Sequence, residues 1–247
     1  MNVIAHRGAH GREPENSLAA FATALTVGAD GIELDVRITA DGHLVCLHDW
    51  YLKRLTGASG RVGRATVQRI LEYPLVHPTS GRRRPVATLD EALTLLSDRV
   101  EVVLDLKQEG VRPTDLEPNT IRVLREHGLG ERVTISSFNP WVLRRVRQLA
   151  PEFRTALIAA SRLAVLLYHP DYCDGLNVHY SLLKRRWFQA MLPRFERVMV
   201  WTVDRRGDVP KSLPDNMCGL MTNRLDRWGV RVGRTHAKST RTRSAAL

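Results

Sequence analysis

Between residues 3 and 54 the chain carries His6, Arg7, Glu33, Asp35 and His48, a set of side chains suited to metal-assisted chemistry on a phosphate. A phosphodiester resists cleavage because its negative charge repels nucleophiles and its alkoxide leaves poorly. Three provisions answer that: a metal to polarise the phosphoryl oxygens, cations to hold them, and groups that move protons. Glu33 and Asp35, two residues apart, offer carboxylates to a hard divalent ion such as Mg2+ or Ca2+, which takes oxygen ligands. Asp105, near the end of another apolar run, can complete the set. Arg7 and Lys107 bring positive charge for phosphate oxygens, the first as a fork and the second as a point charge. Unperturbed histidine titrates near neutrality, so one of His6 and His48 can take a proton while the other gives one, in either order.

These groups need rigid elements to hold them. Residues 2–5 read as a short buried strand that delivers His6 and Arg7 at its end. Asn16 or Ser17 can cap a helix with Leu18, Phe21, Ala22 and Leu25 at helical spacing, and Gly28 stops it. Over residues 31–36 a period of two sets Glu33 and Asp35 on one face and Ile32, Leu34 and Val36 on the other. A lone Glu-x-Asp pair is more often solvent-facing, but on a buried strand two carboxylates require a metal or a cation to offset their desolvation. Asp41-Gly42 then signals a turn that folds residues 44–47 back and brings His48 to the same neighbourhood. Residues 51–85 read as a long loop excursion with a short helical stretch at 67–71. The run 101–107 repeats the pattern, with Val103, Asp105 and Lys107 on one face.

Strands at 133–136, 154–158, 175–178, 197–203 and 218–222 follow, with helices predicted at 118–127, 139–149 and 184–192 and a short one at 163–167. Eight strands, mostly separated by helices, argue for an α/β fold closed into a (β/α)8 TIM barrel over residues 1–228. Trp201, at the end of the seventh strand, is a candidate apolar wall for substrate, and Phe138 a weaker one. His179 either lines a pocket or lies on the surface, while His10, His43, His77, His127, His169 and His236 receive no role.

The chain has 247 residues, 43% of them hydrophobic, enough to bury a large core. No apolar run is long enough to span a membrane. His6 follows the start too closely to leave room for a cleavable leader, and three scattered cysteines form no disulfide or zinc pattern, so a cytoplasmic protein is expected. The net charge of +11 invites a nucleic-acid or anionic-lipid reading. From Arg227 onward, however, there are six basic residues and no acid, about half of the excess. Residues 229–247 therefore read as a basic, disordered tail; peripheral contact with anionic lipid stays open and nucleic acid is disfavoured.

Taken together, His6-Arg7-Gly8, Pro14-Glu15-Asn16, the run from Gly28 to Asp35 and His48-Asp49 resemble, in this order, the signature of the glycerophosphodiester phosphodiesterase family. Weaker matches continue through Lys107, Ser136-Ser137-Phe138, Trp201-Thr202-Val203 and Gly219 to Asn223. The resemblance implies a phospholipase-C-like barrel and a divalent metal held by Glu33, Asp35 and a third carboxylate, here Asp105. It also implies His6 and His48 as catalytic acid and base, and hydrolysis of small-molecule glycerophosphodiesters to an alcohol and glycerol 3-phosphate. Two positions depart from the pattern. Asp105-Leu106-Lys107 replaces the usual Glu-x-Lys, and Thr222-Asn223-Arg224-Leu225 replaces the usual Thr-Asp-x-Pro. A lysophospholipase D acting on lysophospholipids is the second reading, and a non-catalytic phosphate or lipid binder a third, which retention of both histidines opposes.

Overall fold

The computed structural model describes residues 1–96, 99–108, 110–210 and 214–229. Eight parallel strands form the barrel: β1 (Asn2–His6), β2 (Gly31–Ile38), β3 (Glu101–Leu106), β4 (Val133–Ser137), β5 (Arg154–Ala159), β6 (Gly175–His179), β7 (Arg197–Trp201) and β8 (Met217–Thr222). The ring closes because β1 pairs with both β8 and β2. The strand Leu44–Cys46 runs back antiparallel along the end of β2, as the turn at Asp41-Gly42 requires.

Buried on both faces, these strands sort their side chains by the period of two. Ile32, Leu34, Val36, Val102, Leu104 and Leu106 point outward into an apolar shell with Phe21 and Ala24 of helix Leu18–Val27 and with Leu89, Leu93 and Leu96 of helix Leu89–Leu96. Leu157, Leu176, Val198 and Leu220 do the same on the opposite half, against Leu143 and Phe188. Inside, Ile4, Val103, Met199 and Met221 make a dry floor beneath the inward carboxylates. Full burial of each such side chain stabilises the fold by about 1.5–3 kcal/mol.

Helix boundaries shift slightly from those the pattern predicts. The helix expected at 118–127 begins at Leu116, which places Pro118 in its first turn, where a missing N–H leaves no hydrogen bond unmade. The seventh strand ends at Trp201 rather than at residue 203. A larger difference concerns residues 51–85, which are not a bare loop. Helices Lys53–Thr56 and Val67–Leu71 and a small ladder of Leu75–Val76 with Arg83–Arg84 fold over their own apolar cluster of Leu52, Leu55, Val62, Ile70 and Leu75. Those apolar residues are too widely spaced to show a period. Among the described residues no helix is long and apolar enough to cross a membrane. The expected basic tail lies outside the described residues, apart from Gly229.

Register is what the site depends on. His6 lies beside Glu33, and Asp35 beside Asp105, as lateral partners on neighbouring strands. Gly31 permits the close approach, since a Cβ there would lie 2.8 Å from the Glu101 carbonyl oxygen and 2.5 Å from Ile4 Cδ1. Gly31→Ala is therefore expected to destabilise the barrel by about 1–3 kcal/mol, read as a lowered midpoint in thermal or denaturant unfolding.

Candidate active site

The C-terminal ends of β1, β2 and β3 and the loops after them gather His6, Arg7, Glu33, Asp35, His48, Asp105 and Lys107 around one pocket, with Phe138 and Trp201 on its far wall. Glu33, Asp35 and Asp105 are each at least 95% buried, and one oxygen from each lies within 4.8 Å of the others. Burial pushes Glu33 well above the usual carboxylate range, with Asp35 adding to the effect. Burial also raises Asp105, to about 6, against the pull of Lys107. Asp35 moves the other way: burial opposes its ionisation, but Lys107 and Arg7 outweigh it. Three carboxylates so crowded and dry repel one another, and Asp105 Oδ1 is buried without a hydrogen bond. The donor set is all oxygen and fits a hard divalent cation.

Two protein cations already balance part of this charge. Lys107 Nζ lies 3.0 Å from Asp35 Oδ1 and forms a short ion pair with Asp105 Oδ2. Arg7 Nε lies 3.1 Å from Asp35 Oδ2, and its Nη1 lies 2.9 Å from Glu15. Arg7 reaches this position by adopting φ 57°, and its backbone N–H donates to Glu33 Oε2 at 3.0 Å. The next residue must be glycine: Gly8 has φ +78°, and a Cβ on it would meet the Ala20 backbone at 2.8 Å. Asn16, also left-handed, ties the two motifs together. Its backbone N–H donates to the Arg7 carbonyl and its Nδ2 to Asp35 Oδ2 at 2.8 Å, while its Oδ1 accepts from the Asp35 N–H. Ser17, not Asn16, caps the following helix. The conformational demands thus explain why His-Arg-Gly and Pro-Glu-Asn occur together.

Both histidines are oriented through Nδ1. His48 Nδ1 bonds Asp49 Oδ1 at 2.7 Å, and Asp49 is paired with Arg54, which in turn reaches Glu15 at 2.7 Å. A chain of charges therefore runs from Arg7 through Glu15, Arg54 and Asp49 to His48. Arg37 adds to it by donating to the His48 carbonyl at 2.9 Å. His6 Nδ1 bonds Asn223 Oδ1 at 2.8 Å, and His10 Nε2 shares that oxygen at 2.9 Å. Asp204 fixes which way the Asn223 amide points, because it accepts from Asn223 Nδ2 at 3.0 Å and from the Asn223 N–H at 2.8 Å. Asn223 can then only accept from His6, so His6 carries its proton on Nδ1 and turns a bare Nε2 toward Glu33, 3.9 Å away. Burial, with Arg7 beside it, lowers His6 to about 4. Burial lowers His48 as well, with Arg7 and Lys107 acting in the same direction.

A model of the glycerophosphoryl diester phosphodiesterase family matches residues 6–230. A glycerophosphodiester phosphodiesterase of Caldanaerobacter subterraneus is 34% identical over 236 residues, covering 90% of this chain and 93% of that one. The chain belongs to the glycerophosphoryl diester phosphodiesterase family. It is thereby a phosphoric diester hydrolase. A probable glycerophosphodiester phosphodiesterase 1 of Mycobacterium tuberculosis is also 34% identical, over 84% of this chain and 83% of its own. Among solved structures, a glycerophosphodiester phosphodiesterase of Agrobacterium tumefaciens superposes with a TM-score of 0.76 at 26% identity, over 92% and 97% of the two chains. The fold also matches an Oleispira antarctica phosphodiesterase bound to sn-glycerol-3-phosphate, with a TM-score of 0.81 at 24% identity over 93% and 96%.

Against that family pattern, both departures now have a physical context. Asp105 still joins the carboxylate cluster on its shorter arm, drawn to Lys107. At Asn223 a neutral amide stands where an aspartate is usual, and Asp204 supplies a carboxylate one step further back. Trp201 is anchored by its ring N–H to the Asn177 carbonyl at 3.0 Å and meets Phe138 edge to face at 5.7 Å. His179 packs edge to face with Trp201 at 5.1 Å and is not among the residues lining the pocket. Residues that sequence reasoning passed over include His10 and Asn177, whose Nδ2 is buried without a partner at the pocket wall. Asn177 did leave a signal, as a lone amide on the inward period of an apolar strand. The hydrogen bonds of Asn223 predict that nitrogen NMR of histidine-labelled protein at pH 7 will report His6 as the neutral Nδ1–H tautomer. Asn223→Ala is expected to yield a mixture of tautomers; an Nε2–H tautomer in the parent protein would contradict the assignment.

Proposed function

We propose that the chain hydrolyses glycerophosphodiesters to an alcohol and glycerol 3-phosphate, with Glu33, Asp35 and Asp105 holding a divalent metal and His6 and His48 moving the protons. The observation that carries this reading is a pair of histidines, each held through Nδ1 by an oxygen acceptor, flanking three buried carboxylates. The relatives named above as glycerophosphodiester phosphodiesterases support the substrate class. They favour it over a lysophospholipase D.

The residues divide the work by position. When bound, a divalent ion such as Mg2+ or Ca2+ supplies Lewis-acid polarisation of the phosphoryl group. Arg7 and Lys107 lie beside the same carboxylates and hold non-bridging phosphate oxygens. His6, neutral and with Nε2 bare on the carboxylate side, takes the proton from the attacking oxygen of a water or a glycerol hydroxyl. A bond forms from that oxygen to phosphorus as the bond to the alcohol breaks, and His48 delivers a proton to the departing oxygen. Where the attacker is a glycerol hydroxyl, the cyclic phosphate so formed is then opened by water with the two histidines exchanging roles, which gives glycerol 3-phosphate. The phosphate's own negative charge favours the protonated form of His48 that this requires. Trp201 and Phe138 form the apolar wall against which the glycerol carbons rest.

His6→Ala and His48→Ala are each expected to lower kcat on a glycerophosphodiester by about 10²- to 10⁴-fold, with folding retained in a thermal melt. Chelation should abolish turnover and added Mg2+ or Ca2+ restore it. Near-normal turnover in either variant, or full activity in chelator, would overturn the assignment.

A further inference from the structure

A second, larger cavity of about 960 Å³ opens beside the catalytic pocket and shares His48, Asp105, Lys107 and Phe138 with it. On the reading above, His48 protonates the departing oxygen, so the group attached to that oxygen must lie on the His48 side. This cavity is where it goes.

The charge and the aromatic rings of the cavity are arranged against an ammonium group. Arg37, Lys53, Arg54 and Lys107 reach its wall, and among the described residues the carboxylates there are Asp49 and Asp105. Both are committed: Asp49 to His48 and Arg54, Asp105 to Lys107. Quaternary ammonium groups are commonly recognised by aromatic faces, but here protein cations already stand at the rings. The Arg37 guanidinium lies 3.6 Å from the centre of the Trp50 ring, and Lys107 Nζ lies 5.3 Å from that of Phe138. Arg61 lies 5.6 Å from the Tyr51 ring. Lys53 is exposed at the wall, and its ammonium has no hydrogen bond or ion pair among the described residues.

Resting on the proposed hydrolysis, we infer that this cavity is a leaving-alcohol subsite that selects alcohols bearing an anionic group, such as a phosphate, over alcohols bearing an ammonium. Lys53 is its specificity-determining cation. It meets the anion at the rim, while Arg37, seated on the Trp50 ring, makes that aromatic face unfavourable to a positive head group.

The test compares kcat/KM on glycerophosphocholine, glycerophosphoinositol and glycerophosphoinositol 4-phosphate, the last two differing only in one phosphate. The phosphorylated inositol substrate is expected to be turned over roughly tenfold more efficiently than the choline substrate at low salt, with added salt compressing that ratio. Lys53→Gln should reduce the ratio roughly threefold and Lys53→Glu roughly tenfold, in line with one exposed ion pair removed or reversed. A ratio unchanged in both variants, or a parent preference for glycerophosphocholine, overturns the subsite while leaving the hydrolytic reading intact. Loss of hydrolysis on all three substrates with metal supplied would overturn both.

Discussion

Everything at the mouth of this barrel answers to the mutual repulsion of Glu33, Asp35 and Asp105, three carboxylates buried within a few ångströms of one another. Desolvation alone would drive such groups to protonate. Arg7 and Lys107 prevent that for Asp35, and both cations are themselves mostly withdrawn from solvent. Removing one partner of a buried, hydrogen-bonded pair commonly costs about 3–5 kcal/mol. The opening motifs follow from the same constraint. Arg7 must take a left-handed backbone to bring its guanidinium to Asp35, Gly8 must lack a side chain to pass Ala20, and Asn16 must sit where it can bond both the Arg7 carbonyl and Asp35.

Around this centre the protein spends polar residues on orientation. Neither histidine is left to choose its tautomer: Asp49 fixes His48, and Asn223, itself fixed by Asp204, fixes His6. The excursion over residues 51–85 is part of that arrangement, because Arg54 on its first helix bridges Glu15 and Asp49. His77 on the same excursion accepts from Ser80 and bonds the carbonyl of His10 at 3.1 Å. A segment with its own small core thus steadies both sides of the site. Asn223, where the family pattern has an aspartate, keeps an acceptor for His6; burial, with Arg7 beside it, holds the imidazole neutral at neutral pH against the pull of that hydrogen bond.

Much of the site was readable from local pattern. Strand periodicity put Glu33 and Asp35 on one face, and the same rule applied to 101–107 selected Asp105 and Lys107. The barrel followed from counting alternations. The excursion did not, because its apolar residues Leu52, Leu55, Val62, Ile70 and Leu75 come together only through turns and short helices. His10 was passed over for a related reason: its partner Asn223 lies 213 residues away.

The sequence by itself determined the chemical inventory, the alternation of strands and helices, and the inward face of each strand, since all three depend on residue type and a period of two or 3.6. Only the tertiary structure decided which inward residues meet. Closure of β1 onto β8 brings Asn223 to His6, and the register of β2 on its neighbours sets His6 beside Glu33 and Asp35 beside Asp105. Register and closure are fixed by packing across the whole ring, so no local stretch of chain encodes them.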